Sequence, residues 1–239
     1  MALSVQPNPA HYALAELAWK MPGFLTLSQN VDGLSQRAEH PSAQLQLLHG
    51  TLFEIKCFSA LCDYREINFT DPVVPSLAIP TDGVDPTSDE ARRNANDQSQ
   101  GHNTGKDLDI SNISVPLPSL GHDDLPQCPK CKSSLLRPGV VWFGERLPND
   151  VLDTVDNFIR DVAKIDMIMV IGTSVKVYPA AGYVDEARAK GARVCVVNMD
   201  TNDAPPGGWK KGDWLFQGDA AKIVPELLKP VIGDLASPS

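Results

Sequence analysis

Two short-spaced thiol pairs, Cys57-x4-Cys62 and Cys128-x2-Cys131, have the spacing of a single tetrahedral zinc site. A turn of two to four residues lets both sulfurs of a pair face one ion about 2.3 Å away, and two such knuckles complete the shell. Disulfides are the competing reading. They require an oxidising compartment, and the start of the chain, Met1 to Gln6, has neither a basic region followed by an apolar stretch nor an Arg-rich presequence. The fifth cysteine, Cys195, lies in the apolar run Val194 to Val197 and reads as an inert core residue.

His49 is the outstanding titratable residue. Imidazole as a side-chain type suits a general base near neutral pH, but a lone histidine can equally be structural. His11, His40, His102 and His122 fall in helical, turn or polar-loop contexts and read as incidental. Three polar clusters each follow an apolar run: Gln29-Asn30-Val31-Asp32, Gly172-Thr173-Ser174 and Asn198-Met199-Asp200. Glycine admits close approach of a ligand, and hydroxyls hydrogen-bond phosphate or ribose. Taken singly, a Gly-Thr-Ser after a strand is an ordinary turn. Taken in this order, the clusters favour an adenine dinucleotide.

These groups need a sheet to align them. Tyr12, Leu14, Ala15, Leu17 and Ala18 give one helical face, broken at Pro22-Gly23, and Phe24 to Leu27 reads as a short buried strand. From Gly139 onward the pattern is regular α/β. Val140 to Phe143 is a strand-like run ending in Gly144-Glu145. Val151 to Val162 repeats at helical spacing, with Asn149 or Asp150 as N-cap. Asp166 to Ile171 and Arg193 to Val197 read as buried strands flanking a helix from about Pro179 to Lys190, with Gly191 as its stop. Strand, helix and strand at this spacing form a right-handed parallel unit, and strands apolar throughout call for helices on both faces. Ligands of such sheets bind beyond the carboxyl ends of the strands, where all three polar clusters fall. Trp142-Phe143-Gly144-Glu145 reads either as core packing or as a peptide-docking edge.

The 239 residues divide into three stretches: 1–50, 51–138 and 139–239. The middle one carries both cysteine pairs around a polar insert, about 81–124, that has too few apolar residues to offset the entropy of ordering it and reads as a disordered loop. Hydrophobic residues make up 42% of the chain, enough for a proper core, and no window reaches the ~18 apolar residues of a membrane span. A net charge of −9, from 30 acidic and 21 basic side chains, argues against a nucleic-acid-coating surface.

Gln29-Asn30-Val31-Asp32-Gly33-Leu34, Leu48-His49-Gly50, the two cysteine pairs, Val141-Trp142-Phe143-Gly144-Glu145, Gly172-Thr173-Ser174 and Val177-Tyr178-Pro179-Ala180-Ala181 together resemble the sirtuins, NAD-dependent protein-lysine deacylases. The likeness runs in order from about Pro7 to about Ala220, and Leu136-Arg137-Pro138 leading into Val140 to Glu145 is most similar to the class III branch, which includes lysine desuccinylases. The resemblance implies that His49 is the catalytic base, drawing a proton from the NAD ribose while the acyl-lysine oxygen attacks the anomeric carbon. It implies that Gln29, Asn30, Val31 and Asp32 line the nicotinamide and ribose pocket. Gly172, Thr173 and Ser174 match phosphate and ribose contacts, Asn198, Met199 and Asp200 the adenosine end, and Ala220 a contact to adenine. Val141, Trp142, Phe143, Gly144 and Glu145 match the strand that pairs with an acyl-lysine peptide. Cys57, Cys62, Cys128 and Cys131 match the ligands of one structural zinc ion.

In sirtuins a Gly-Ala-Gly-rich phosphate loop and a first Rossmann strand precede the part that matches Pro7, and in class III members a Tyr and an Arg there clamp the acidic acyl chain. This sequence starts beyond them. The expected fold is therefore an incomplete Rossmann-like parallel sheet with helices on both faces, short of a central strand, plus a small four-cysteine zinc module. Two functions follow from that expectation: a lysine deacylase, or a catalytically inactive zinc module that binds a peptide or a partner protein. The expected compartment is reducing, with mitochondrial matrix and nucleus or cytoplasm not distinguished.

Overall fold

A computed structural model describes residues 2–80, 108–115, 117, 119–174, 178, 180–200 and 204–235. These fall into two compact units, one formed by Met1–Leu52 with Val140–Ser239, the other by Phe53–Gly139.

The first unit opens with helix α1 (Pro9–Lys20). Asn8 caps it by accepting the Ala10 and His11 N–H groups, while His11 Nδ1 accepts the Asn8 N–H. Strand β1 (Thr26–Ser28) pairs in parallel with β2 (Leu45–Leu47) across the short helix α2 (Leu34–Arg37), with Leu27 opposite Gln46. After β3 (Gly50–Cys57), β4 (Arg65–Ile67) and β5 (Leu136–Val140) come helix α3 (Asn149–Asp161), β6 (Met167–Ile171), α4 (Gly182–Ala189), β7 (Arg193–Asn198), β8 (Trp214–Gln217) and α5 (Ala220–Ile232). Strands β6, β7 and β8 are parallel in that order, with Met169 opposite Cys195 and Val197 opposite Phe216.

Strand β7 is central and its side chains alternate between two cores. Cys195 and Val197 pack with Ala13 and Leu17 of α1 and Val224, Leu228 and Ile232 of α5. Val194 and Val196 pack with Ala181 and Val184 on the other side. Helices therefore cover both faces, as an all-apolar parallel strand requires. A third cluster joins Leu25, Leu27 and Leu48 to Val151, Val155 and Ile159 of α3 and to Tyr183 of α4.

The α/β architecture is the one the sequence implies, with differences in detail. Among the described residues the parallel strands form two sheets, β1–β2 and β6–β7–β8, rather than one. Strand β6 lies at an edge of its sheet, and Met167 is exposed, as is Arg193 opposite it, while the next four residues of β7 are buried. The residue before α3 is Pro148, with no side-chain cap; Asn149 and Asp150 lie inside the first turn, where Asp150 favours the helix dipole. Helix α4 starts at Gly182, and the expected first-turn residue Pro179 lies outside the described residues. Gly191 does end that helix, at φ 92°, with its N–H on the Arg188 carbonyl. Helix α5 was not expected from the pattern, because Pro225 and Pro230 lie within it.

The second unit is built on the sheet β4–β3–β5, with β3 and β4 antiparallel. Gly139 makes the approach of β5 to β3 possible: a Cβ there would stand 2.7 Å from the Glu54 Cβ. Of the polar insert, 81–107, 116 and 118 lie outside the described residues. Its far end carries a tight turn at His122–Asp124, held by the Asp124 carboxylate on the Gly121 N–H and by the Gln127 amide on the His122 carbonyl.

Candidate functional site

The four cysteines are brought together by two backbone knuckles. Cys57 ends β3, its N–H bonded to the Tyr64 carbonyl, and Cys62 closes a turn onto the Ser59 carbonyl. Cys128 donates to the Ser134 carbonyl and accepts from Lys132, which takes φ 53° to reverse the chain. The four sulfurs lie within 4.8 Å of one another, with Cys57 and Cys131 at 3.7 Å and Cys62 and Cys128 at 3.8 Å. A disulfide would hold its sulfurs at about 2.05 Å. A tetrahedron of sulfurs about 2.3 Å from a central ion has edges of about 3.8 Å. The donor set therefore fits zinc. Ser133, through backbone and hydroxyl, lowers the Cys131 thiol to about 6, whereas burial chiefly pushes Cys57 up to about 11. A dication is what allows all four to be thiolates together. Four thiolates leave no open position, so such an ion is structural.

In the first unit, His49 follows β2 and is fixed from two sides. Its carbonyl accepts the Val141 N–H at 2.9 Å, and its ring Nδ1 lies 2.9 Å from the Gln29 carbonyl oxygen. A carbonyl only accepts, so Nδ1 carries a proton, and in the neutral ring Nε2 has the lone pair. The Gln29 side-chain amide donates to Thr173 Oγ1 at 3.2 Å. The Thr173 carbonyl accepts the Asn198 side-chain amide at 3.3 Å. Gly172 N–H reaches the Val197 carbonyl, and Gly218 N–H the Asn198 carbonyl. The carboxyl ends of β1, β6, β7 and β8 are thus linked by hydrogen bonds through Gln29, Thr173, Asn198 and Gly218.

Gly172 takes φ 62°, and a Cβ there would meet nothing within 4 Å, so the loop is open to a ligand on that side. Asn30 turns back through its N–H on Ser28 Oγ, half-buried Val31 accepts the Leu52 N–H, and the Asp32 carboxylate accepts the Leu34 N–H at the start of α2. Met199 is exposed, its N–H held by Asn198 Oδ1, and exposed Asp200 follows it. Ala220 is the first residue of α5, whose cap Asp219 accepts the Ala221 N–H. Open glycine backbone, hydroxyls, an amide and a helix N-terminus suit a dinucleotide.

The stretch Val141 to Glu145 departs from the expected strand. Strand β5 ends at Val140 and the chain then turns: the Glu145 N–H donates to the Trp142 carbonyl, and the Glu145 carboxylate accepts the Trp142 N–H. Gly144 at φ 86° closes this turn. Apolar character suggested a strand, but a glycine in the left-handed region and a carboxylate on the Trp142 donor favour a reversal. Phe143 points fully into solvent and Trp142 is 46% exposed, so neither is core packing.

Two histidines set aside by the sequence reading are structural. His40 is buried, with Nε2 on Thr26 Oγ1 and Nδ1 on the Pro41 carbonyl, and burial lowers its pKa. His11 is lowered chiefly by burial, against the opposing charge of Asp32. Gly218, unmarked by any motif in the sequence, takes φ 147°, with Ile223 Cδ1 only 3.0 Å from where a Cβ would be. A glycine directly before an aspartate N-cap is the signal that could have marked it.

A family model described as "Sir2 family" matches residues 1–179. The NAD-dependent protein deacylase of Candida albicans is 41% identical over 237 residues, which cover 98% of this chain and 76% of that protein. The mitochondrial NAD-dependent protein deacylases named sirtuin-5 from Canis lupus familiaris and Danio rerio are 31% and 33% identical. Each is matched over 95% of this chain, but the chain spans only 63% of their length. Among solved structures, a Sir2 homologue in complex with NAD superimposes with a TM-score of 0.65 at 29% identity, over 96% of this chain and 66% of that one. A mutant of Sir2 homologues in complex with 2′-O-acetyl ADP-ribose gives 0.65 at 30% identity, over 96% and 68%.

Proposed function

This chain belongs to the Sir2 family, and from that premise we propose that it is an NAD-dependent protein-lysine deacylase, which moves an acyl group from lysine to ADP-ribose and releases nicotinamide. The observation that carries the proposal is the His49 ring. It sits beside the linked carboxyl ends of the parallel strands, with Nδ1–H engaged by the Gln29 carbonyl and the lone pair on Nε2. A neutral imidazole in that tautomer is a ready proton acceptor. The NAD-complexed Sir2 homologue and the relatives named as NAD-dependent deacylases support the same reading.

NAD supplies an anomeric carbon with nicotinamide as leaving group. The chain's own residues do the rest. Gln29, Asn30, Val31 and Asp32 orient the nicotinamide ribose, and Gly172, Thr173 and Ser174 hold phosphate and ribose through backbone N–H groups and hydroxyls. Asn198, Met199 and Asp200 would hold the adenosine end, with Ala220 a contact to adenine. His49 Nε2 takes the proton of a ribose hydroxyl. Val141 to Glu145 receives the acyl-lysine peptide, and the exposed Trp142 and Phe143 supply apolar contact to it. Cys57, Cys62, Cys128 and Cys131 hold one structural zinc ion. Residues 1–50 and 139–239 form the nucleotide-binding part and 51–138 the zinc module. Zinc-binding thiolates suit a reducing compartment. The relatives named sirtuin-5 are mitochondrial proteins, and we propose the matrix for this one. Among the described residues no helix is long and apolar enough to cross a membrane.

The test is nicotinamide release from NAD with acetyl-, succinyl- and glutaryl-lysine peptides, beside His49→Ala. Turnover with one acyl class, lowered on the order of 10²–10⁴-fold by the substitution, is expected of a lost general base. No nicotinamide release by a folded, zinc-loaded chain would overturn the proposal.

A further inference from the structure

We infer that Gln29 is a positioning residue for His49: its side-chain bond to Thr173 orients the Gln29 peptide carbonyl, and that carbonyl selects the His49 tautomer. The inference rests on the reading of His49 as general base and goes beyond the role of Gln29 as a cofactor contact.

The last backbone bond of the β1–β2 region is the Leu48 N–H on the Ser28 carbonyl, at 2.9 Å. One residue later the chain leaves the ladder and turns, with the Asn30 N–H on Ser28 Oγ. The Gln29 carbonyl accepts an imidazole instead of a strand N–H. A peptide plane at the end of a strand is free to rotate unless something outside the sheet fixes it. Here one edge of that plane is held by the exposed bond from the Asn30 N–H to Ser28 Oγ, and the Gln29 side chain adds a second tether, through its bond to Thr173 Oγ1 at 3.2 Å.

Thr173 is itself immobilised. Its hydroxyl donates to the Ser174 carbonyl at 3.3 Å, so it accepts from the Gln29 amide, and its own carbonyl takes the Asn198 amide. Asn198 ends the central strand β7. A hydrogen-bonded path therefore runs from the rigid centre of the sheet, through Asn198, Thr173 and Gln29, to Nδ1 of His49. Free histidine favours the tautomer with the proton on Nε2, which cannot accept a proton there. The Gln29 carbonyl stabilises the opposite one by accepting Nδ1–H. Without the Thr173 tether only the exposed bond to Ser28 Oγ holds that peptide plane, the Gln29 carbonyl gains freedom to swing, and the imidazole then reverts to the tautomer that puts its N–H where the lone pair should be.

The experiment is 15N NMR of the His49 ring in the full chain without NAD, at a pH where imidazole is neutral, with the signals assigned by their loss in His49→Gln. The parent is expected to hold mostly the Nδ1–H form. Gln29→Ala and Thr173→Val should each shift the population several-fold toward Nε2–H. Thr173→Ser, which keeps the hydroxyl, should restore it, and the double variant should go no further than either single one. At saturating NAD, both single variants should lower kcat by a similar factor, on the order of tenfold to a hundredfold, whereas loss of a cofactor contact alone would raise KM and leave the tautomer untouched. A parent dominated by Nε2–H, or a tautomer unmoved by both Gln29→Ala and Thr173→Val, would overturn the inference. The expected tautomer shifts in a protein whose nicotinamide release ignores His49→Ala would overturn the base reading and leave the positioning role standing.

Discussion

Arg188 and Asp213 form a buried ion pair: a guanidinium nitrogen lies 2.7 Å from the carboxylate, with the side chains 7% and 4% exposed. The same carboxylate accepts the Val194 N–H at 2.9 Å and the Lys210 N–H at 2.8 Å, and Arg188 also donates to the Gly208 carbonyl. Asp213 thereby pins the loop between β7 and β8 to the first residues of β7 and to α4. Arg193 adds to the clamp by stacking its guanidinium 4.9 Å from the Trp214 ring.

Asp213→Ala should therefore destabilise the chain by about 3–5 kcal/mol, because it leaves the Arg188 charge buried without its partner. Burial pushes the Asp213 carboxyl up, but the Val194 and Lys210 N–H groups and Arg188 together outweigh it and hold the group below the ordinary 3.8. A carboxylate depressed in the folded state binds fewer protons there than in the unfolded chain. Its contribution is complete above the unfolded value and is lost as pH falls through the folded one. Urea unfolding of the parent should show stability declining below about pH 4, and Asp213→Asn should flatten that decline. An equal decline in the variant would assign it to other carboxylates.

The sulfur tetrahedron predicts one zinc ion per chain. Metal analysis of purified protein should return that stoichiometry, and Cys128→Ser should lose it, since Cys128 is a buried ligand. Structural zinc contributes about 10–16 kcal/mol to the folding of isolated zinc peptides, so a chelator should cooperatively unfold the sheet β4–β3–β5. Circular dichroism followed during chelation would reveal this. A parent free of zinc yet equally stable would contradict it.

Much of this was legible in the sequence, and what was not has physical causes. Strands β6 and β7 declared themselves as apolar runs because both their faces are covered, and Gly191 marked a helix end because only a left-handed residue fits there. The thiol pairs announced a metal site by spacing alone. Helix α5 has no clear sequence signature because Pro225 and Pro230 lie inside it, yet its buried Val224, Leu228 and Ile232 hold it against α1. The role of His40 depended on Thr26, fourteen positions away. The contact of Gln29 with Thr173 joins residues separated by 144 positions, and no local pattern carries such a pairing. The turn at Val141 to Glu145 was misread because apolar content is ambiguous in short runs, where one glycine at positive φ decides the outcome.

Phe143 is fully exposed and makes no contribution to any of the three cores. Phe143→Ala should therefore leave stability within about 0.5 kcal/mol of the parent. If the turn receives the acyl-lysine peptide, the substitution removes apolar contact area gained only when peptide binds. An aromatic side chain of this kind contributes about 1.5–3 kcal/mol when fully buried, so peptide KM should rise roughly tenfold or more while KM for NAD stays the same. The distinction is sharp because the peptide contact and the dinucleotide contacts lie on different segments. Steady-state kinetics with each substrate varied in turn would separate them: a rise in the KM for NAD alone would move Phe143 to the dinucleotide side, and no change in either would remove it from the site.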